Sequence, residues 1–416
     1  MLLRNNPRFA ALTAAQMLSS LGNWLMILAV MVLIGIRWHH GPFAVALGVV
    51  VLVAPGMVVQ PMAGLLADRR PRKGIMLTAN LLSAVAALSV LVVRDLWQLY
   101  VALALLGSFD AFFSPAESGM IKELVADSDM PGAMSLRMAV SQGTKILGPS
   151  LSGMLVATFG ARVPFAIDAG CFVASAAIIT FIPGGRAHLA HRVGPREPAH
   201  YGDGFRYLLT SRPLRTILGF FAIVLFVVQM VDSQFVILLR GIPNAARLLG
   251  ITMSASGLGM VITALLMGRA SIRRPMVWIA VGSLTLGVGF GGAAILVLIR
   301  LFWAVPILML GTAAAAALAI IPFQTVMQRD TPVDWTGRVM AAVGVITSAC
   351  VVAGPLVGGL AVSNFGVIPA FLLVGLLLIL VSGMGGVITW GQGRVHHAES
   401  ESDLQRGQTG TTHRGR

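Results

Sequence analysis

The sequence predicts an all-α integral membrane protein with twelve transmembrane helices in two pseudo-symmetric six-helix bundles. The first observation is composition: 56% of the residues are hydrophobic and only 11% are charged, against about 25% charged in soluble domains. The second is a series of apolar runs of the roughly 20 residues that a helix needs to cross the hydrocarbon core. The third is an internal repeat. Because every backbone polar group in lipid must be paired within its own segment, such runs predict helices.

The apolar runs and the breakers between them place the helices in order along the chain. The predicted spans are 9–36, 43–67, 74–93, 96–120, 134–159, 163–182, 214–239, 250–268, 276–299, 302–327, 337–362 and 366–390. The longest polar segment divides them six and six. The predicted units are an N-terminal bundle (1–182), a central cytoplasmic loop (183–213), a C-terminal bundle (214–390) and a disordered cytoplasmic tail (391–416).

The distribution of Lys and Arg predicts the orientation. With both termini on one side of the membrane, 23 of the 30 basic residues lie on that side and six on the other, and Lys145 lies within a span. The positive-inside rule then places both termini in the cytoplasm of a cell-membrane protein. The net charge of +14 is spread over short loops that contact anionic lipid headgroups, so nucleic-acid binding is not expected.

Several chemical functions find no support in the sequence. Cys171 and Cys350 lie in separate apolar runs without neighbouring ligand residues, so neither a disulfide nor a metal site is indicated. The stretch "GVGFGG" (287–292) lies inside a predicted span with no strand before it, which argues against dinucleotide binding. There is also no P-loop. We therefore predict no cofactor, no metal and no enzyme activity.

The two halves share a glycine-proline repeat. "GPSLSGMLVATFG" (148–160) returns as "GPLVGGLAVSNFG" (354–366), with six of thirteen positions identical at an offset of 206 residues. Glycines let helices approach closely and prolines bend them. The helix-packing residues predicted from this repeat are Gly148, Pro149, Gly153, Gly354, Pro355, Gly358 and Gly359. Duplicated bundles suit a transporter that alternates access around a central site.

The stretch "GLLADRRPRK" (64–73) concentrates charge between two apolar runs. It resembles the signature between helices 2 and 3 of the major facilitator superfamily through residues that include Gly64, Asp68, Arg69, Arg72 and Lys73. On twelve predicted spans, this motif identifies the chain as similar to that superfamily over nearly its whole length.

The resemblance implies a latch on the cytoplasmic side. Asp68 would lie at the N-terminus of helix 11, near Gly337 and Arg338, where exposed amides favour a carboxylate. Arg72 would pair with Glu117 or Glu123 at the end of helix 4. The alternative is that these charges only set topology.

Further stretches resemble one branch of the superfamily. "LLGSFDAFFSPAE" (105–117) and "QRDTPVDWTGRVMA" (328–341) are similar to the bacterial enterobactin exporter and actinobacterial drug-efflux carriers. "SPAESGMIKELV" (114–125) is also similar to lysophospholipid carriers. The resemblance therefore leaves more than one substrate class open.

Four ionisable residues lie within predicted spans, where such groups are costly and usually functional: Asp110, Lys145, Asp168 and Asp232. Lys145 and either Asp168 or another of these carboxylates could form a buried pair that only makes each charge tolerable. In the resembling family, helices 1, 4, 7 and 10 line the cavity, which favours Asp110 and Asp232 for proton coupling or substrate contact. Asn23, Gln229 and Gln324 would complete the wall, unless they only hydrogen-bond between helices.

These observations predict a secondary transporter that exports amphipathic small molecules, driven by protons, as a monomer among membrane lipids. A siderophore exporter and a lysophospholipid flippase are the alternatives with the same fold. A membrane scaffold or sensor that does not transport is the alternative from another class.

Overall fold

The computed structural model describes residues 6–182, 202–267, 275–332 and 335–385, and this part of the chain is helical without strands. The N-terminal half contains helices 1 to 6, which are Pro7–Val32, Pro42–Arg69, Arg72–Val92, Leu96–Leu124, Met130–Phe159 and Val163–Phe181. The C-terminal half contains helices 7 to 12, which are Arg212–Asp232, Ala245–Met267, Pro275–Leu298, Val305–Arg329, Thr336–Phe365 and Val367–Gly385.

Eleven of these helices are long and apolar enough to cross a membrane. Helix 5 has 30 residues but is less apolar, since it carries Arg137 and Lys145. It packs along helix 1 and along helix 8, so it lies inside the bundle with the others. The predicted order of twelve helices is confirmed, and the predicted tail lies outside the described residues.

Helix ends follow from local sequence. Asn6 caps helix 1 by accepting a hydrogen bond from the Phe9 backbone N–H at 3.0 Å, and a proline follows it. Helices 5 and 11 both end at a glycine with a left-handed backbone, Gly160 at φ +92° and Gly366 at φ +89°. These two glycines are separated by the 206 residues of the sequence repeat, so both halves end this helix in the same way.

Helix 4 is not continuous, contrary to the span predicted at 96–120. The helix stops at Asp110 and restarts at Phe113 after a turn. Pro115 explains the break, because it lacks an amide donor and its ring clashes with the carbonyl group four residues earlier, at Ala111. Asp110 therefore lies at a break in a membrane helix.

The polar connection between the two halves is shorter than the predicted central loop. Gly202–Thr210 forms a strongly amphipathic helix that packs against helix 11 and the start of helix 7. Helix 7 also ends earlier than predicted, at Asp232, and the short helix Phe235–Leu238 follows it. The rest of the predicted loop, 183–201, lies outside the described residues.

The repeat glycines form equivalent contacts within the two bundles. Gly148 of helix 5 packs against Trp24 of helix 1, and a Cβ atom there would collide with the tryptophan side chain. Gly354 of helix 11 packs in the same way against Gln229 of helix 7, where a Cβ atom would lie 2.5 Å from the glutamine Cβ. Gly358 approaches the backbone of Met230.

The same two helices also join the bundles to each other. Gly153 of helix 5 meets the backbone of Gly250 on helix 8, and Gly359 of helix 11 meets Ala46 on helix 2. Because Gly153 and Gly359 are again 206 residues apart, the sequence repeat corresponds to a structural pseudo-two-fold. Helices 5 and 11 are the elements along which the two bundles contact each other.

Two membrane faces are distinguished below. The basic face is the one that carries the Arg69–Lys73 segment between helices 2 and 3. The opposite face carries the connections between helices 1 and 2 and between helices 7 and 8, because consecutive helices alternate in direction.

Candidate transport site

A cavity of about 260 Å³ lies between the two bundles, bounded by helices 1, 5, 7, 8, 9 and 10. Its wall is mainly apolar and includes Phe235, Phe290, Met253, Met260 and Met309. Hydroxyl groups from helices 8 and 10 and two charged side chains interrupt this surface. A mostly apolar cavity with a few polar groups is the usual form of a small-molecule site.

The two charged residues of the cavity are Lys145 and Asp232. The Nζ atom of Lys145 lies 5.4 Å from the centre of the Trp24 ring, in cation–π geometry. Among the described residues, neither Lys145 nor Asp232 forms a hydrogen bond or an ion pair shorter than 4 Å. Their charges nevertheless interact. Both side chains retain accessible surface, and both line the cavity.

A second polar cluster lies within the N-terminal bundle. Asn23 of helix 1 lies close to Asp110, which stands at the break of helix 4. Asp168 of helix 6 is fully buried, and its charge interacts with that of Asp110. Neither carboxylate oxygen of Asp168 has a hydrogen-bond partner in the described structure, and one packs directly against Gly22. Two acids and one amide therefore share this site without a described cation.

These positions correct part of the sequence interpretation. Lys145 forms no buried pair with Asp168 within the described chain; it packs against Trp24 instead. The cavity that contains Lys145 and Asp232 is not lined by Gln229 or Gln324. Gln229 packs against Gly354 in the C-terminal bundle. Gln324 is partly buried on helix 10.

Hydrogen bonds join the two bundles at the opposite face. Arg240 donates from Nη1 to the His40 carbonyl at 2.9 Å and from Nη2 to the His39 carbonyl at 2.8 Å. Gln234 Nε2 donates to the Pro42 carbonyl at 3.2 Å. All three bonds connect the segment after helix 7 to residues 39–42, at the start of helix 2. We call these five residues the opposite-face clamp.

Helices 2 and 11 carry glycines with different surroundings near the two faces. Close to the opposite face, Gly359 contacts Ala46. Nearer the basic face, a Cβ atom on Gly64 or on Gly344 would meet no heavy atom within 4 Å. Gly359 therefore lies at a contact between the bundles, whereas Gly64 and Gly344 border open space.

The charged motif at the basic face makes contacts within the N-terminal bundle. Arg72 Nη1 lies 2.5 Å from Glu123 Oε1 and 2.9 Å from the Gly119 carbonyl. Lys73 Nζ donates to the carbonyls of Thr180 and Ile182 at 2.8 and 2.7 Å. Arg72 and Lys73 thus tie the start of helix 3 to helices 4 and 6.

Glu117, the other predicted partner of Arg72, forms its ion pair with a different residue. Glu117 accepts a hydrogen bond from Arg137 of helix 5 at 3.2 Å and is buried. Arg69 is exposed. Arg338 lies over the Trp335 ring at 5.2 Å. The surroundings of the Asp68 side chain and of Gly337 are not described, so the latch stays a prediction.

The comparison with known protein families is decisive. The profile described as Major Facilitator Superfamily matches residues 12–353. This chain belongs to the major facilitator superfamily. It is thus a multi-pass membrane transporter, and the superfamily implies a small-molecule substrate.

Relatives and solved structures agree with this membership. This major facilitator carrier is 37% identical to the uncharacterized MFS-type transporter YfiS of Bacillus subtilis, over 93% of this chain and 94% of that one. It is 28% identical to the multidrug efflux pump Tap of Mycolicibacterium fortuitum, over 84% and 85%. Macrolide efflux protein A of Streptococcus pyogenes is 24% identical over 79% and 83%. The nucleoside transporter NupG shares the fold, with a TM-score of 0.68 at 12% identity, over 91% of this chain and 99% of that one.

The opposite-face clamp of this major facilitator carrier was missed by sequence reasoning. Arg240 was counted only as one of six basic residues on the sparsely charged side. Basic residues are rare on that face, and this rarity is the sequence signal that could have identified Arg240 as a residue with a specific contact. The carbonyl partners at His39 and His40 have no signature, because a backbone acceptor does not depend on residue type.

Proposed function

We propose that this carrier exports amphipathic small molecules across the bacterial cell membrane in exchange for protons. The observation that carries the proposal is the position of Asp110, an ionisable residue at the break of helix 4 inside a membrane span. A carboxyl group at a helix break can exchange a proton as the surrounding helices move. The efflux relatives support export over import.

The orientation follows from the positive-inside rule. The basic face is the cytoplasmic one, with both termini on that side, because 23 of the 30 basic residues lie there under the twelve-helix topology. The opposite-face clamp then closes the outer side, and the space beside Gly64 and Gly344 opens toward the cytoplasm. A carrier in this state is poised to take up its substrate from the cell interior.

The latch at residues 64–73 belongs to the other half of the cycle. When the outer clamp opens, helices 2 and 11 close at the cytoplasmic side and bring Asp68 to the N-terminus of helix 11. Arg72 already holds helix 3 to Glu123 of helix 4, which keeps the motif rigid. The carrier works as a monomer, since each bundle supplies one side of the gate.

A lipid substrate is the second candidate, because the cavity wall is mainly apolar. A siderophore is the third candidate; it is a soluble molecule that the carrier would also export. A membrane scaffold or sensor that does not transport would need neither the cavity nor the charged side chains of Lys145 and Asp232 that line it. We therefore rank it last.

Cellular accumulation tests proton-driven export. Cells that lack their own efflux pumps would express the wild type, Asp110→Asn or the control Asp330→Asn, whose side chain pairs with the neighbouring Arg329 at the basic face. We expect lower accumulation of fluorescent drugs in wild-type and control cells, and no difference from the empty vector for Asp110→Asn or after a protonophore. Export that survives both treatments would overturn the coupling role of Asp110.

A further inference from the structure

The cavity between the bundles holds two unlike charges that are not satisfied by each other. Lys145 projects from helix 5 of the N-terminal bundle and Asp232 from helix 7 of the C-terminal bundle. No ion pair within 4 Å joins them in the described structure, although their charges interact. Both side chains line the cavity.

Two separated charges in a membrane interior need a physical reason. Each one is costly there unless it is paired and hydrogen-bonded. A direct pair would lower that cost, but here the ammonium group lies over the Trp24 ring, which is a weaker partner than a carboxylate. The arrangement leaves one donor group and one acceptor group available to a ligand.

The remaining wall suits an apolar body of variable shape. Met253, Met260 and Met309 surround the charges together with Phe235 and Phe290. Methionine side chains are flexible and polarizable, so they adapt to irregular apolar surfaces. The site therefore combines an adaptable apolar wall with a fixed pair of opposite charges.

We propose that this cavity takes a zwitterionic amphipath, with the acidic group at Lys145 and the ammonium group at Asp232. The inference rests on the proposed transport function and names its substrate class. A purely cationic ligand would satisfy Asp232 and leave Lys145 repelling it. A neutral ligand would leave both charges without a partner. Discrimination of this kind is strong, because a polar site rejects ligands that leave its buried groups unpaired.

Equilibrium binding tests the class without requiring transport. The purified full-length chain would be titrated in detergent against ciprofloxacin, an intrinsically fluorescent zwitterion, and against its methyl ester, which keeps only the ammonium charge. Fluorescence polarisation gives both affinities. We expect the free acid to bind about tenfold or more tightly than the ester, the discrimination expected of a site with a matched charge.

Variants assign this preference to the two residues. Lys145→Gln is expected to weaken binding of the acid about tenfold and to leave the ester nearly unchanged, while Lys145→Arg restores the preference. Asp232→Asn is expected to weaken both ligands. Lys122→Gln, an exposed position on the basic face, is the matched control and should change neither. Equal binding of acid and ester, or a preference that survives Lys145→Gln, would overturn the proposal.

A second experiment, with a lipid ligand, tests whether the zwitterion is a lipid or a soluble molecule. Lysophosphatidylethanolamine carries a phosphate and an ammonium group, and it would be offered as a competitor and by direct titration. Lysine-dependent binding of the lipid alone supports the proposal with a lipid substrate, and lysine-dependent binding of ciprofloxacin supports it with a soluble one. Binding of neither overturns it. Binding without any gradient-driven transport would refute the proposed function and leave the ligand class standing.

Discussion

Removing the Arg240 side chain should open the carrier at the opposite face. The guanidinium group makes two charge-assisted hydrogen bonds to the carbonyls of His39 and His40. One bond is partly buried and the other exposed, so solvent competes and the two together contribute about 2 kcal/mol, less than twice the roughly 1.5 kcal/mol or more that each hydrogen bond to a charged group usually gives. Since 1.4 kcal/mol is a factor of ten, Arg240→Ala should shift the ratio of closed to open carrier about 30-fold.

Distances between spin labels measure this ratio directly. Trp97 and Trp303 are exposed, and each starts a helix at the opposite face, one in each bundle. Labels would replace them after the native cysteines Cys171 and Cys350 are changed to alanine. Pulsed electron paramagnetic resonance should show a new long-distance population in Arg240→Ala.

The matched control for this prediction is Arg247→Ala. Arg247 is an exposed basic residue on the same face and carries no described contact to the other bundle. The control should keep the wild-type distance distribution. If Arg240→Ala gave that same distribution, the clamp would not hold the bundles together and the reasoning would be refuted.

Two further predictions concern the N-terminal bundle. Arg72→Glu should impair transport in a transport assay, and adding Glu123→Arg should restore it. The free energy of unfolding should change by only about 1 kcal/mol, because the pair is partly exposed. Failure of the double variant to restore transport would contradict a pairing role. Asp168→Asn should leave the Tm within about 5 °C of wild type in a thermal melt, because neither carboxylate oxygen loses a hydrogen bond. A much larger fall in Tm would show that the ionised carboxylate is needed.

Most of the fold could be predicted from the sequence, because apolar runs and their breakers determine membrane helices. The 206-residue repeat even anticipated equivalent contacts of Gly153 and Gly359 between the bundles. The break of helix 4 was missed although Pro115 signals it, since a span was assigned by hydropathy alone. In lipid a proline interrupts the backbone without interrupting the apolar run.

The candidate site was predicted only in part. Ionisable residues are rare within membrane spans, and this rarity singled out Lys145 and Asp232. The structure brings both into one cavity. Their partners could not be predicted, because pairing depends on how the two bundles are rotated against each other. Asp168 illustrates the limit: it looked like a partner for Lys145, yet it is buried against Gly22 in the N-terminal bundle.

Substrate-dependent proton movement is the measurement that distinguishes proton-coupled export from uncoupled transport. Purified protein in liposomes that contain a pH-sensitive dye would be exposed to a drug that the cellular screen identifies, without any imposed gradient. We expect proton flux opposite to drug flux in the wild type and none in Asp110→Asn, with drug binding retained. Drug transport by the wild type without proton movement, or equal proton flux in Asp110→Asn, would contradict it.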